Sequence, residues 1–176
     1  VEMTAYLANS LYRTKKVEDA LNMYRSLLEK PNSDFTELAA LRVSRYAYNQ
    51  KNYEEALKYY SKLEEVTSHP ETIYNTRVGL MRCEFLLENW EEAILYANKV
   101  LSNSLVVTNI RIEAEYSRGI SYYRSNQYEQ AKAPLEWLTK NTSNHIASES
   151  RYYLAEMNYM QKNYNAAEAD IRTLLK

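Results

Sequence analysis

Residues 51–63 read KNYEEALKYYSKL. The tight Lys51-Asn52 turn is followed by Tyr53, two acids, and then a buried-type set of Ala56, Leu57, Tyr60 and Leu63 at helical spacing. That spacing predicts an amphipathic helix. Glu54 and Glu55 suit its first turn, where the helix dipole favours negative charge. The signature around Ala56 returns four times, ending at Ala20, Ala93, Ala131 and Ala167, with successive gaps of 36, 37, 38 and 36 residues. A fixed period in this range predicts stacked structural repeats.

Upstream of each signature lies a second helical stretch. Residues 35–50 lack Gly and Pro and carry Leu38, Leu41, Tyr46 and Tyr48. Asp34 is the expected N-cap, with Glu37 as its capping-box partner, and Asn52 with Glu55 forms a second expected pair. At the turn, Asn52 suits the left-handed conformation that helix ends often need. The pattern predicts ten helices, at 2–13, 17–29, 35–50, 53–66, 71–87, 90–102, 108–125, 128–140, 145–161 and 164–175. Pro134 falls inside the eighth and is expected to bend it or loosen its first turns. Each anchor alanine lies one turn into a second helix. Twelve residues earlier stand Ala8, Ser44, Met81, Gly119 and Ala155, four of them small. Small residues at both positions let paired helices approach; a larger side chain would overpack by about 1–3 kcal/mol.

Composition narrows the function. Only 2 Gly and 3 Pro occur in 176 residues, whereas tyrosine reaches 18. A net charge of −1 with no basic block gives little long-range attraction to nucleic acid. No apolar run reaches membrane-spanning length. His69 and His145 are far apart and lack partners at metal-ligand spacing, so no metal is expected. Two glycines cannot build a phosphate loop, and no cofactor is expected. Cys83 falls near the core of a first helix, where a thiol is inert. The adjacent Glu pairs point to different helix faces. The sequence is therefore read as non-catalytic.

The small residue in the first helix, the aromatics near its end, and the aromatic–acidic turn before the alanine resemble tetratricopeptide repeats (TPRs). The clearest copies run from Tyr153 to Ala167 and from Ser117 to Ala131. The family's early tryptophan is absent, with Thr4, Ala40, Arg77, Glu115 and Arg151 at the matching positions. The resemblance implies an all-α, right-handed solenoid of about five repeats, ten antiparallel helices in all. It implies a single array over 1–176, with repeats near 1–34, 35–70, 71–107, 108–144 and 145–176. The chain, which starts at Val1, is read as a fragment of a longer repeat protein. Lengthened repeats of this kind are similar to those of bacterial envelope scaffolds of the Tol–Pal and outer-membrane-assembly type; periplasm and cytoplasm both stay open.

In that family the first helices line a concave groove. Eight residues before the alanines stand Tyr12, Tyr48, Phe85, Tyr123 and Tyr159; fifteen before, Tyr116 and Tyr152 join them. Between the rings fall Asn9, Arg13, Arg45, Arg82 and Arg124, with Glu149 and Glu156 toward the C-terminal end. Rigid rings suit a binding surface, and Arg suits carboxylate or phosphate. Packing alone and packing with binding both fit these rings. The resemblance implies a protein–protein interaction scaffold holding a peptide or partner helix, ideally one with acidic and aromatic residues. The alternatives are carbohydrate binding by the tyrosine ladder and self-association through the last helix, whose outer side nothing covers.

Overall fold

The computed structural model describes residues 2–104 and 106–175, which form ten α-helices and no strand among the described residues. They are α1 (Glu2–Arg13), α2 (Val17–Leu28), α3 (Thr36–Asn49), α4 (Tyr53–Val66), α5 (Pro70–Leu86), α6 (Trp90–Leu101), α7 (Thr108–Arg124), α8 (Tyr128–Asn141), α9 (His145–Met160) and α10 (Tyr164–Leu174). Every helix end lies within one residue of the periodicity-based expectation. The contacts divide into two compact units, Val1–Leu87 and Glu88–Lys176. In the first, α1 through α5 each pack on their chain neighbours; in the second, α6 through α10 do the same, and α7 also meets α9.

The anchor alanines explain that packing. Ala20, Ala56, Ala93, Ala131 and Ala167 are all buried, as are Ala8, Ser44, Met81 and Ala155 of the preceding helices. In the first unit the core gathers Leu21, Tyr24, Leu27, Ala39 and Val43 around Ala5, Ala8 and Ala20. Polar bonds tie neighbouring helices at its rim. Arg25 on α2 donates to Glu55 on α4 at 2.8 Å, Arg77 on α5 to Glu64 on α4 at 2.8 Å, and the Tyr46 hydroxyl to Glu18. In the second unit Leu135, Leu138 and Met157 are fully buried.

The turns show how the helices reverse. Lys15, Lys51, Glu88, Asn126 and Lys162 all hold φ between 60° and 64°. At the second turn Lys51 N–H donates to the Tyr48 carbonyl and Asn52 N–H to the Ala47 carbonyl, both at 2.9 Å. This is the Schellman closure, which satisfies two carbonyls of the ending helix. The left-handed residue is thus Lys51, not Asn52. Asn52 instead caps α4, its side chain accepting from Glu55 N–H at 3.2 Å. The expected Asp34 cap is not formed. The N-cap of α3 is Phe35, which makes no side-chain bond, and Thr36 Oγ1 accepts from Ser33 N–H at 2.8 Å. Helix α8 runs unbroken through the buried Pro134.

Candidate partner-binding faces

Tyr12, Tyr48, Phe85 and Tyr123 are half-buried, and neighbouring helices explain this for two of them. In the first unit the Arg42 guanidinium of α3 lies 4.5 Å from the Tyr12 ring centroid of α1, a cation–π contact. Beneath it the Tyr24 hydroxyl is enclosed without a hydrogen bond. Burial holds its pKa up, opposed by Arg42. Arg42 stands fourteen residues before its anchor alanine. In the second unit the residue in that same position is Tyr153, and its ring centroid lies 4.6 Å from that of Tyr123. The ring eight before one alanine is therefore covered by the residue fourteen before the next, at both of these junctions. At the Tyr48 junction the corresponding residue is Gly79; the Tyr48 ring meets Tyr53 at 5.6 Å. Tyr159 of α9 is 65% exposed and touches Tyr164 at 5.6 Å.

The second unit brings several predicted residues together. Tyr116 and Tyr123, seven apart on α7, donate to Glu149 and Glu156, seven apart on α9; the Tyr123–Glu156 bond is 2.7 Å. Burial raises both phenol pKa values, and the carboxylate bonds raise them further. The Arg124 guanidinium opposes the rise that burial gives the Tyr153 pKa. Tyr152 is exposed, edge-on to Tyr153 at 5.5 Å. The two acids read as open groove charges are therefore already engaged by tyrosines.

In the first unit Arg13 and Arg45 are exposed, and Asn9, Arg82 and Phe85 are half-buried. Among the described residues no bond joins Asn9 or Arg13 to the other candidates. Sequence reasoning passed over Arg42 and Tyr153 because their column, Tyr6, Arg42, Gly79, Ser117 and Tyr153, shares no chemistry. Aligning that column against the ring column would have exposed the pairing.

Catalytic signs are few. Cys83 is buried and its thiol is pushed up to about 12 by burial, with Glu84 adding to the shift. His69 precedes Pro70 at the start of α5 and makes no side-chain cap. Among the described residues no cluster of His, Cys, Asp and Glu could hold a metal ion, and no helix is long and apolar enough to cross a membrane.

This architecture defines an all-α helical-repeat protein of the solenoid class. The sequence matches the tetratricopeptide repeat family over residues 7–70 and 116–176, well over half of its length, and the chain belongs to that family. No curated protein sequence matches it. Among solved structures it is similar to YrrB, a TPR protein with an unusual peptide-binding site, at 17% identity and a TM-score of 0.72, covering 98% of this chain and 83% of YrrB. It is also similar to a MamA RS-1 double mutant (12% identity, TM-score 0.66, 99% and 92% covered). A third likeness is the apo form of RapI (18% identity, TM-score 0.60, 98% and 68% covered). These likenesses bear on fold. The TPR fold is that of a protein–protein interaction scaffold with protein or peptide partners, and such proteins are typically non-catalytic.

Proposed function

We propose that the chain holds a peptide or partner helix against its first-helix faces, in a single five-repeat array whose groove is lined by the residues singled out in the sequence. The observation that carries this reading is the uneven burial of the rings. Tyr12 and Tyr123 are held by their neighbours, whereas Tyr152 and Tyr159 stand exposed. Rigid, pre-positioned rings give contact area at low entropic cost. The peptide-binding site of YrrB supports the same use of the fold.

The test is an arrayed peptide library probed with the 176-residue chain. Tyr152→Ala and Tyr159→Ala should lose capture while the melting temperature is unchanged. Capture that survives both substitutions, or that occurs on glycans and not on peptides, would count against this reading.

A second reading is favoured by the α10 face of the second unit. Ile171 is 48% exposed, while Leu135, which holds the same repeat position on α8, is fully buried by packing. We infer that a second copy of the chain covers Tyr159, Tyr164 and Ile171. Sedimentation across a concentration series should show a dimer that Ile171→Asp abolishes; a monomer throughout would rule it out.

A further inference from the structure

The first and last helices leave open faces at matching repeat positions. Met3 stands seventeen residues before its anchor alanine and is 84% exposed, whereas Ala39, Thr76, Ala114 and Ser150, the later holders of that position, are all buried. Leu7 stands thirteen before and is 51% exposed; Val43, Leu80 and Leu154 are buried there. Helix α1 packs on α2 much as α3 packs on α4 and α9 on α10. What it lacks among the described residues is a second helix before it, such as α2 gives α3 and α8 gives α9. Helix α10 is the reverse case. Ile171, four after its alanine, is 48% exposed, while Tyr24, Tyr60, Ala97 and Leu135 in that position are buried. Each of those earlier second helices packs on a following first helix.

Two side-chain pairings extend the same register. The ring eight before one alanine meets the residue fourteen before the next: Tyr12 with Arg42, and Tyr123 with Tyr153. Tyr159 stands eight before the last alanine and Tyr6 fourteen before the first. Tyr159 is 65% exposed, and Tyr6 is 61% exposed despite its edge-on contact with Phe35. The second pairing is ionic. Arg25, five after its alanine, bonds Glu55, one before the next, at 2.8 Å. Arg172 is five after the last alanine and Asp19 one before the first. Asp19 is exposed and has no ion pair among the described residues. Arg172 pairs with the exposed Glu168 on its own helix and keeps further donors, as Arg25 does while it also bonds Asn22.

We propose that α1 of one copy of the chain docks on α10 of another, as a first helix docks on the second helix before it, so that copies join head to tail. Met3 and Leu7 cover the Ile171 face, Tyr6 meets Tyr159, and Asp19 pairs with Arg172. The occupant is a second copy because apolar, ring and charge positions of α1 each find their counterpart on α10 in the register already used inside the chain. The proposal rests on the second reading above, that another copy covers α10, and names the surface that copy brings. Such a contact is heterologous: each joined pair keeps one free α1 and one free α10, so association continues past the dimer as concentration rises.

The experiment blocks each face separately and follows sedimentation of the 176-residue chain. Leu7→Asp closes α1 and Ile171→Asp closes α10. Both residues are about half exposed, and circular dichroism checks that both variants stay folded. Each variant alone should be a monomer at concentrations where the parent associates. Mixed in equal amounts, they should form a one-to-one dimer and nothing larger, since one keeps α10 open and the other α1. Adding Asp19→Arg to the Ile171→Asp chain should weaken that dimer by about threefold or more, and Arg172→Asp in its Leu7→Asp partner should restore it. If Leu7→Asp alone associates as the parent does while Ile171→Asp does not, α10 pairs with some other surface of the second copy; head-to-tail joining is then wrong and the second reading stands. A mixture that stays monomeric, or one that Asp19→Arg leaves unchanged, overturns this register. A parent that is monomeric throughout overturns both.

Discussion

The ring of Tyr60 occupies the space that a side chain on Gly79 would fill, with a built Cβ only 2.6 Å from Cζ. A real Cβ there must displace an aromatic ring that is itself packed between helices. Gly79→Ala should therefore destabilise the chain by about 1–3 kcal/mol through overpacking, even though Ala favours a helix interior by about 1 kcal/mol. Gly119 on α7 is the control. Its built Cβ meets Leu135 Cδ2 at 2.9 Å and Cγ at 3.1 Å, on an aliphatic side chain that can shift by rotation where a rigid ring cannot. Gly119→Ala should be close to neutral, because the same propensity gain of about 1 kcal/mol offsets a small repacking cost. Urea unfolding of both variants decides it; equal stabilities would show that Tyr60 moves aside freely.

The turns carry a different cost. Lys51 and Lys162 sit at φ 60° and 64°, where a Cβ crowds its own backbone. Glycine escapes that strain of about 1–2 kcal/mol but loses chain entropy of about 0.5–1 kcal/mol on folding. Lys51→Gly and Lys162→Gly should each stabilise by about 0.5–1 kcal/mol, measured by chemical denaturation. Lys51→Val should lower stability, since a β-branched residue is strained there. A glycine variant less stable than the parent would mean that Lys51 holds an attraction the strain argument omits.

Helix ends were legible because each is set by local chemistry that repeats. An alanine that must touch a partner backbone and a two-residue turn recur in every signature, and an aromatic–acidic start in three of the five. The division of labour within the turn was not legible. Lys51 and Asn52 are adjacent, and Asn is the better left-handed residue in isolation. Its side chain gains more by accepting from Glu55 N–H at the start of α4. Asp34 failed as a cap for a related reason, since Thr36 Oγ1 takes the local N–H and Phe35 holds the cap position. The ring column was visible, yet what meets the Tyr12 and Tyr123 rings comes from a varied column, Arg42 in one repeat and Tyr153 in another. Glu149 and Glu156 looked like free groove charges, because partners thirty-three residues away leave no trace in local pattern.

Alkaline pH should test two buried acids of the first unit, Cys83 and Tyr60. Burial raises Cys83 from 9.0 to about 12 and Tyr60 from 10.0 to about 12. A folded-state pKa above the unfolded value means the folded chain keeps a proton the unfolded chain gives up. This stability is fully present below pH 9.0, starts to fall there as unfolded Cys83 ionises, falls more steeply from 10.0 with Tyr60, and is lost by about 12. Cys83→Ala should delay the onset of the fall, and Tyr60→Phe should make the later part shallower. Urea midpoints measured across that window test it; parallel curves for parent and Tyr60→Phe would refute the burial argument for Tyr60.

The paired Tyr–Glu bonds of the second unit lead to a prediction about coupling. Tyr123 donates to Glu156 at 2.7 Å while its ring meets the tilted Tyr153 ring at 4.6 Å, so hydroxyl and ring act on α9 separately. Tyr123→Phe keeps the ring and removes the donor to a charged acceptor, at a cost of about 1.5–3 kcal/mol if the bond were fully buried. Glu156 is only half-buried and water can replace the phenol, so about 1 kcal/mol is the better expectation. Tyr123→Ala also removes the ring contact and should cost about 3 kcal/mol or more. Tyr116→Phe should resemble Tyr123→Phe, because Tyr116 bonds Glu149 one heptad away. A double-mutant cycle between Tyr123→Phe and Glu156→Ala should show coupling of about 0.5 kcal/mol or more. The cycle between Tyr123→Phe and Glu149→Ala should be near additive. Equal coupling in the two cycles would mean that the acids act as one diffuse negative field, and the two bonds would not be separate ties between α7 and α9.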